Sequence, residues 1–175
     1  MTLRAGSSAL VFALVAAAAA MLLGDALVRG SWVAVARLAG PALLVVWAAW
    51  MLLVRPSIRV LRDRAVVVNI GRITEVPWVR VIDIRRRLQL VLDLDDGRSL
   101  EAWGSPFPPR GLAGRRGQTT QDDPAASVLR AAWQSGLESD ADASVIRRPD
   151  LTALALGGVA AVAAAASLWG AGAVS

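Results

Sequence analysis

Two kinds of residue in this 175-residue chain could do chemistry by type and spacing. Carboxylates gather at Asp93, Asp95 and Asp96, and arginines gather at Arg59, Arg62 and Arg64 and again at Arg85, Arg86 and Arg87. Carboxylates this close suggest a hard-cation site, but such a site needs more oxygen ligands than they supply. A tight turn accounts for them, and no metal is expected. Arginine runs suit phosphate groups, whether of nucleic acid or of lipid. The run at 85–87 has no interleaved aromatic residues, so the stacking half of single-strand recognition is missing, and a solvated face is the simpler reading. No nucleic-acid partner is expected.

The residue types that are absent narrow the chemistry further. The chain has no Cys, no His and no Tyr. That removes thiolate nucleophiles, disulfides, sulfur-ligated zinc, and the commonest general base and metal ligand. Catalysis would rest on carboxylates, hydroxyls and Arg alone, so an enzyme is not expected and no cofactor is implied. All 19 basic residues are Arg, a compositional bias of the kind a GC-rich genome produces.

The elements that must position these residues begin with three apolar runs. Ala9 to Val28 contains one charge, Asp25, and reaches the roughly 20 residues needed to cross about 30 Å of hydrocarbon. A second span covers residues 33 to 54, with Arg37 able to snorkel and Pro41 tolerable near a helix start. A third, 151 to 173, is rich in Ala and Gly and inserts more weakly per residue than a Leu-rich helix. A secretory signal peptide is the rival reading of the first run, because Arg4 precedes an Ala-rich stretch; a helical hairpin over residues 1–54 explains both early runs together. Small residues at four-residue spacing, Ala16, Ala20 and Gly24 against Ala153, Gly157 and Ala161, suggest that spans one and three pack together.

Arginine placement sets the expected orientation. Arg55, Arg59, Arg62 and Arg64 follow the second span, and Arg147 and Arg148 precede the third. By the positive-inside rule the amino terminus and the central domain are cytoplasmic, the Val174–Ser175 tail is outside, and the protein is a multi-pass protein of the cell membrane.

Between spans two and three, the runs 57–61, 65–70, 73–76 and 79–84 are short, β-branched and punctuated by Arg62–Asp63–Arg64 and Gly71, as antiparallel strands are. Leu88, Leu90, Leu92 and Leu94 alternate with Gln89, Val91 and Asp93, a period-two strand with one buried face. The next turn is decided by register. A two-residue loop would set Leu92 against Glu101, whereas Asp95–Asp96–Gly97 as a three-residue loop with Gly97 left-handed sets Leu92 against Leu100 and Leu90 against Ala102. Residues 104–121, with their Pro and Gly, read as a flexible loop. An amphipathic helix follows over 123–137, with Asp122 or Asp123 as cap, Pro124 at its first turn, and Val128, Leu129, Ala132, Trp133 and Leu137 on one face. Residues 139–150 read as a linker.

The segment RPSIRVLRDRAVVVNIGRITEVPWVRVIDI, from Arg55 to Ile84, resembles the bacterial PH-domain family, especially the actinobacterial membrane proteins of the low molecular weight protein antigen 6 type. The likeness rests on Arg55–Pro56 just after a span, on a strand with Val67–Val68–Asn69, and on Pro77–Trp78 opening the segment that reaches Val81–Ile82. It covers Arg55 to about Trp103, and the preceding helical hairpin is usual in that family. Together with the apolar runs and the arginine placement, the resemblance gives a membrane protein of α+β class: three transmembrane helices and a cytoplasmic PH-like antiparallel β-barrel or sandwich over 55–138, closed by one C-terminal amphipathic helix. It makes Pro56, Asn69, Pro77 and Trp78 structural residues, with Trp78 in the core. The long loop at 104–121 and the third span depart from the shortest members.

Two functions fit this arrangement. The first is a membrane-anchored interaction or scaffold module with a protein partner, engaged through a groove or a sheet edge. The alternative is a reader of anionic lipid headgroups, with Arg59, Arg62 and Arg64 as contacts, because lipid-binding PH domains carry basic residues on the first strand and turn. That turn lies some ten residues past a span, where each Arg could add about 1 kcal/mol of attraction to an anionic leaflet. Positive-inside bias alone also explains those charges. An oligonucleotide-binding-type barrel is the structural runner-up, disfavoured by the helix after the last strand.

Overall fold

Apolar runs too long for strands become helices, and β-branched runs broken by Gly and Pro become strands. The structure is a computed structural model that describes residues 2–3, 6–86, 89–103, 124–136 and 144–172. In chain order the elements are β1 (Thr2–Leu3), α1 (Gly6–Val28), α2 (Trp32–Ala49) continued by a π-helical turn (Trp50–Val54), β2 (Ser57–Val60), β3 (Arg64–Asn69) and β4 (Arg72–Pro77). A 3-10 turn (Trp78–Arg80) then leads to β5 (Val81–Arg86), β6 (Leu90–Leu94), β7 (Ser99–Ala102), α3 (Pro124–Gly136), β8 (Ile146–Pro149) and α4 (Leu151–Gly172). They form two units, one of residues 1–6 and 55–149, the other of 7–54 and 150–175.

The helical unit contains three helices long and apolar enough to cross a membrane, over Ser8–Val28, Trp32–Val54 and Leu151–Gly170. Helix α1 is apolar all round, and its one acid, Asp25, is neutralised by Arg29 one turn on at 2.9 Å. Pro41 lies well inside α2 rather than near its start, so one backbone donor of that helix is missing.

Span three packs closely against span two, where small-residue spacing had suggested span one. A methyl group on Gly157 would collide with the Trp47 indole, and one on Gly40 would meet Ala163 O and Ser167 Oγ. The Trp47 indole N–H donates to Ala153 O at 3.0 Å. Gly24 of α1 faces open space, and an apolar recess of about 380 Å³, lined by Val15, Ala19, Leu22, Leu38 and Val45 among others, lies between α1 and α2. The small residues of α4 therefore admit a Trp-bearing helix rather than another Ala-rich one. At the head of α4, Asp150 accepts from Ala153 N through its side chain and from Leu154 N through its carbonyl, as an N-cap does.

The second unit holds two antiparallel sheets: a five-stranded one in the order β1-β2-β3-β4-β8 and a three-stranded one in the order β5-β6-β7. The expected barrel is not closed. Pro77 ends β4, and the 3-10 turn at Trp78–Arg80 redirects the chain, so β5 founds a new sheet instead of extending the first. Val79 and Arg80 accordingly belong to that turn and not to a strand. Two strands lie outside the segments read as strands. Thr2–Leu3 pairs with Arg59–Ile58, and Ile146–Pro149, within the expected linker, pairs with Glu75–Arg72.

The β6–β7 register is the expected one: Leu92 opposes Leu100, Leu90 opposes Ala102, and Gly97 has φ +76°. Ile58, Val67, Val76, Trp78, Ile84, Leu90, Leu92, Leu94 and Leu129 form the buried core. Helix α3 contributes Ala125, Ala126 and Leu129 to it and lies against β5 and the 3-10 turn. The positions Arg4, Arg87, Leu88, Asp122, Asp123, Leu137 and Val174–Ser175, with the loop 104–121, lie outside the described residues.

Candidate functional site

The arginines of the lipid-headgroup expectation occupy β2, the β2–β3 turn and the start of β3 in the five-stranded sheet. Arg59 is exposed on β2, Arg62 is exposed in the β2–β3 turn, and Arg64 opens β3. Arg64 is held in a chain of ion pairs, to Asp63 at 2.7 Å and to Glu75 at 3.2 Å, and Glu75 also binds Arg148 at 2.8 Å. The hydrogen bond from Arg64 holds the Asp63 carboxyl below the usual carboxylate range, and the same contact raises Arg64. Glu75 thus ties β3, β4 and β8 together by diagonal cross-strand pairs. No signal in the sequence pairs Glu75 with a charge 73 residues later, because β8 was not legible as a strand.

The β2–β3 turn also lies at the far end of the sheet from every connection to a span. Ser57 opens β2 just after α2, Leu3 ends β1 just before α1, and Pro149 ends β8 just before α4. The pairings place Leu3 beside Ile58, Ser57 beside Val68, and Pro149 beside Arg72. All three connections therefore leave from the end that carries the Ile70–Gly71 turn. From Ser57 to Arg62 the chain runs about 17 Å the other way, at 3.3–3.4 Å per residue, or roughly two Debye lengths at physiological salt. Strand β2 thus carries the chain from the end where the connections leave to the opposite end of the sheet, where Arg62 lies.

Pro56, Asn69, Pro77 and Trp78 lie at strand ends and in the core of the domain. Pro56 is buried next to the first strand, and Pro77 is buried at the end of β4. Trp78 is fully buried, its indole N–H donates to Leu61 O at 3.0 Å, its backbone N–H donates to Asp63 O at 3.0 Å, and Gly136 of α3 lies against its ring. Asn69 clips the two sheets together: its Nδ2 donates to Glu101 O at 2.7 Å and its Oδ1 accepts from Trp103 N at 3.0 Å. A sheet-bridging role for Asn69 had no sequence signal beyond the motif itself.

The clustered carboxylates are dispersed by the fold. Asp93 binds Arg85 at 2.7 Å and accepts from Ser99 Oγ at 2.6 Å, Asp95 binds Arg80 at 2.8 Å, and Asp96 accepts from Arg98 N at 3.0 Å within the turn. Among the described residues no group of three carboxylates is placed to hold a metal ion. Of the Arg85–Arg87 run, Arg85 is engaged by Asp93.

Two strands bound the three-stranded sheet, β5 and β7. Strand β5 is bulged between Val81 and Asp83, leaving Ile82 exposed, and Arg130 of α3 donates to Ile84 O at 2.9 Å. Bulges and covering helices blunt an edge against foreign strands. Comparison of the chain with protein-family models, with curated proteins and with solved structures finds no match.

Proposed function

We propose that the chain is a membrane-anchored, non-catalytic interaction module of PH-like character, which presents its two-sheet domain on the cytoplasmic side of the cell membrane to a protein partner. The observation that carries this reading is the wiring of the five-stranded sheet. Both its outer strands, β1 and β8, and the inner strand β2 run within one or two residues into helices apolar enough to span a bilayer. The long segment of the domain, from Arg55 to Pro149, begins and ends at such a helix. The broad apolar exteriors of α1 and α4, with Leu10, Leu14, Met21, Val159 and Val162 exposed, call for hydrocarbon as their surroundings. The lack of His, Cys and Tyr and the engagement of Asp93, Asp95 and Asp96 in ion pairs and turns support a binding role over catalysis.

Photo-crosslinkers placed singly at Ile82, Glu101 and Ile146, exposed on β5, β7 and β8, test this in native membranes. One protein captured reproducibly from one face, and lost when that face is altered, supports the module. Failure of every position to capture any protein in the native membrane overturns it.

A further inference from the structure

We propose that the span-bearing end of the five-stranded sheet, through Ile70, Arg72 and Trp103, sits in the headgroup layer of the membrane that the protein's own helices cross. The inference rests on the membrane-anchored reading above and assigns the domain a lipid-contacting end.

Covalent length alone limits where that end can go. Two residues separate Leu3 from Gly6, two separate Val54 from Ser57, and one separates Pro149 from Leu151. At no more than about 3.6 Å per residue, the longest of these links reaches roughly 11 Å. The outer tethered strands, β1 and β8, are four strand spacings apart, about 19 Å at the usual 4.8 Å. Short links therefore leave this end of the sheet at both of its outer strands and at β2.

The side chains at this end suit the polar–apolar boundary. Trp103 is 54% exposed and Ile70 37% exposed, and Arg72 is exposed. A Trp ring with an apolar body and a polar N–H is the side chain that membrane–water interfaces enrich, and Arg pairs with lipid phosphate by charge-assisted hydrogen bonds. Asn69 brings the group together, since it is the residue before Ile70 and accepts the Trp103 backbone N–H. The positive φ of Gly71, +70°, keeps the turn between Ile70 and Arg72 tight. The exposed Arg62, in the β2–β3 turn, lies at the opposite end of the sheet, so among the described residues of this sheet closeness to the connections and amphipathic character coincide at this end.

The native chain has no Cys, so single-Cys variants of the full-length protein report cleanly. Ile70→Cys, Trp103→Cys and Arg62→Cys are each labelled with an environment-sensitive fluorophore and reconstituted into vesicles of phosphatidylcholine with a minor fraction of phosphatidylglycerol. Emission is then quenched either by headgroup spin-labelled lipid or by aqueous iodide. The expected result is strong lipid quenching and shielding from iodide at Ile70 and Trp103, with the reverse at Arg62. Iodide access at either Ile70 or Trp103 equal to that at Arg62 overturns the inference. Flotation of the protein with the vesicles separates the two readings: a floating protein with those probes in water loses only this inference, and a protein that does not float loses the membrane anchor as well.

Discussion

Trp78 is the side chain on which the domain core turns. It has no exposure, it packs under the end of α3, and its one polar atom is spent on the Leu61 carbonyl. Trp78→Ala removes the largest buried side chain and should cost about 3–5 kcal/mol. Trp78→Phe keeps most of the packing but leaves that carbonyl without its donor, and should cost about 1–3 kcal/mol. Denaturant unfolding of the purified protein, followed by a probe confined to the domain, measures both; a Trp78→Ala protein as stable as the parent would remove Trp78 from the core. Its burial was legible because Pro77–Trp78 interrupts a polar-punctuated strand run with an aromatic residue. The Glu75 links to Arg64 and Arg148 were not legible, because ion pairing depends on which strands lie side by side, and charges alone do not state that.

At the scale of elements, the β6–β7 hairpin is the clearest case of local determination. Alternating Leu positions and Asp95–Asp96–Gly97 dictate both the loop length and the facing pairs, since a one-residue slip would turn every Leu outward. Gly97→Val places a β-branched residue at φ +76° and should destabilise the domain by about 1–3 kcal/mol. Asp96→Asn, whose side-chain oxygen can still accept from Arg98 N, should change stability by less than about 0.5 kcal/mol. Amide exchange of the Leu90–Leu94 and Ser99–Ala102 strands checks both, and an unchanged pattern in Gly97→Val would show that the loop does not need the left-handed residue. Strand β8 is the opposite case. Ile146–Arg147–Arg148–Pro149 is too short for a period, and its arginines read equally well as charges flanking a span; only the open edge of β4 makes it a strand.

At the scale of the whole molecule, the return of both ends of the α1–α2 hairpin to one sheet requires an even number of crossings between Leu3 and Ser57. If the amino terminus and the domain are inside, as proposed from the arginine distribution, Ser31 between α1 and α2 is expected outside. An impermeant thiol reagent should therefore label Ser31→Cys in intact cells and Ser144→Cys only after lysis. The reverse pattern would invert the protein in the membrane.

Hydropathy and period are local quantities, which is why the three long helices, the six strands between Ser57 and Ala102 apart from their boundaries, the helix α3 and the Gly97 turn were determined by the order of residues alone. Pairing between distant segments is not local. That span three meets span two and not span one depends on Trp47 fitting over Gly157. The barrel stays open because a 3-10 turn after Pro77 starts a second sheet. The end of the sheet opposite the connections received Arg62 because β2, paired antiparallel with β3, runs from Ser57 toward the β2–β3 turn. In each instance many partners satisfy the same local preferences, and packing and backbone hydrogen bonding in the folded chain select one.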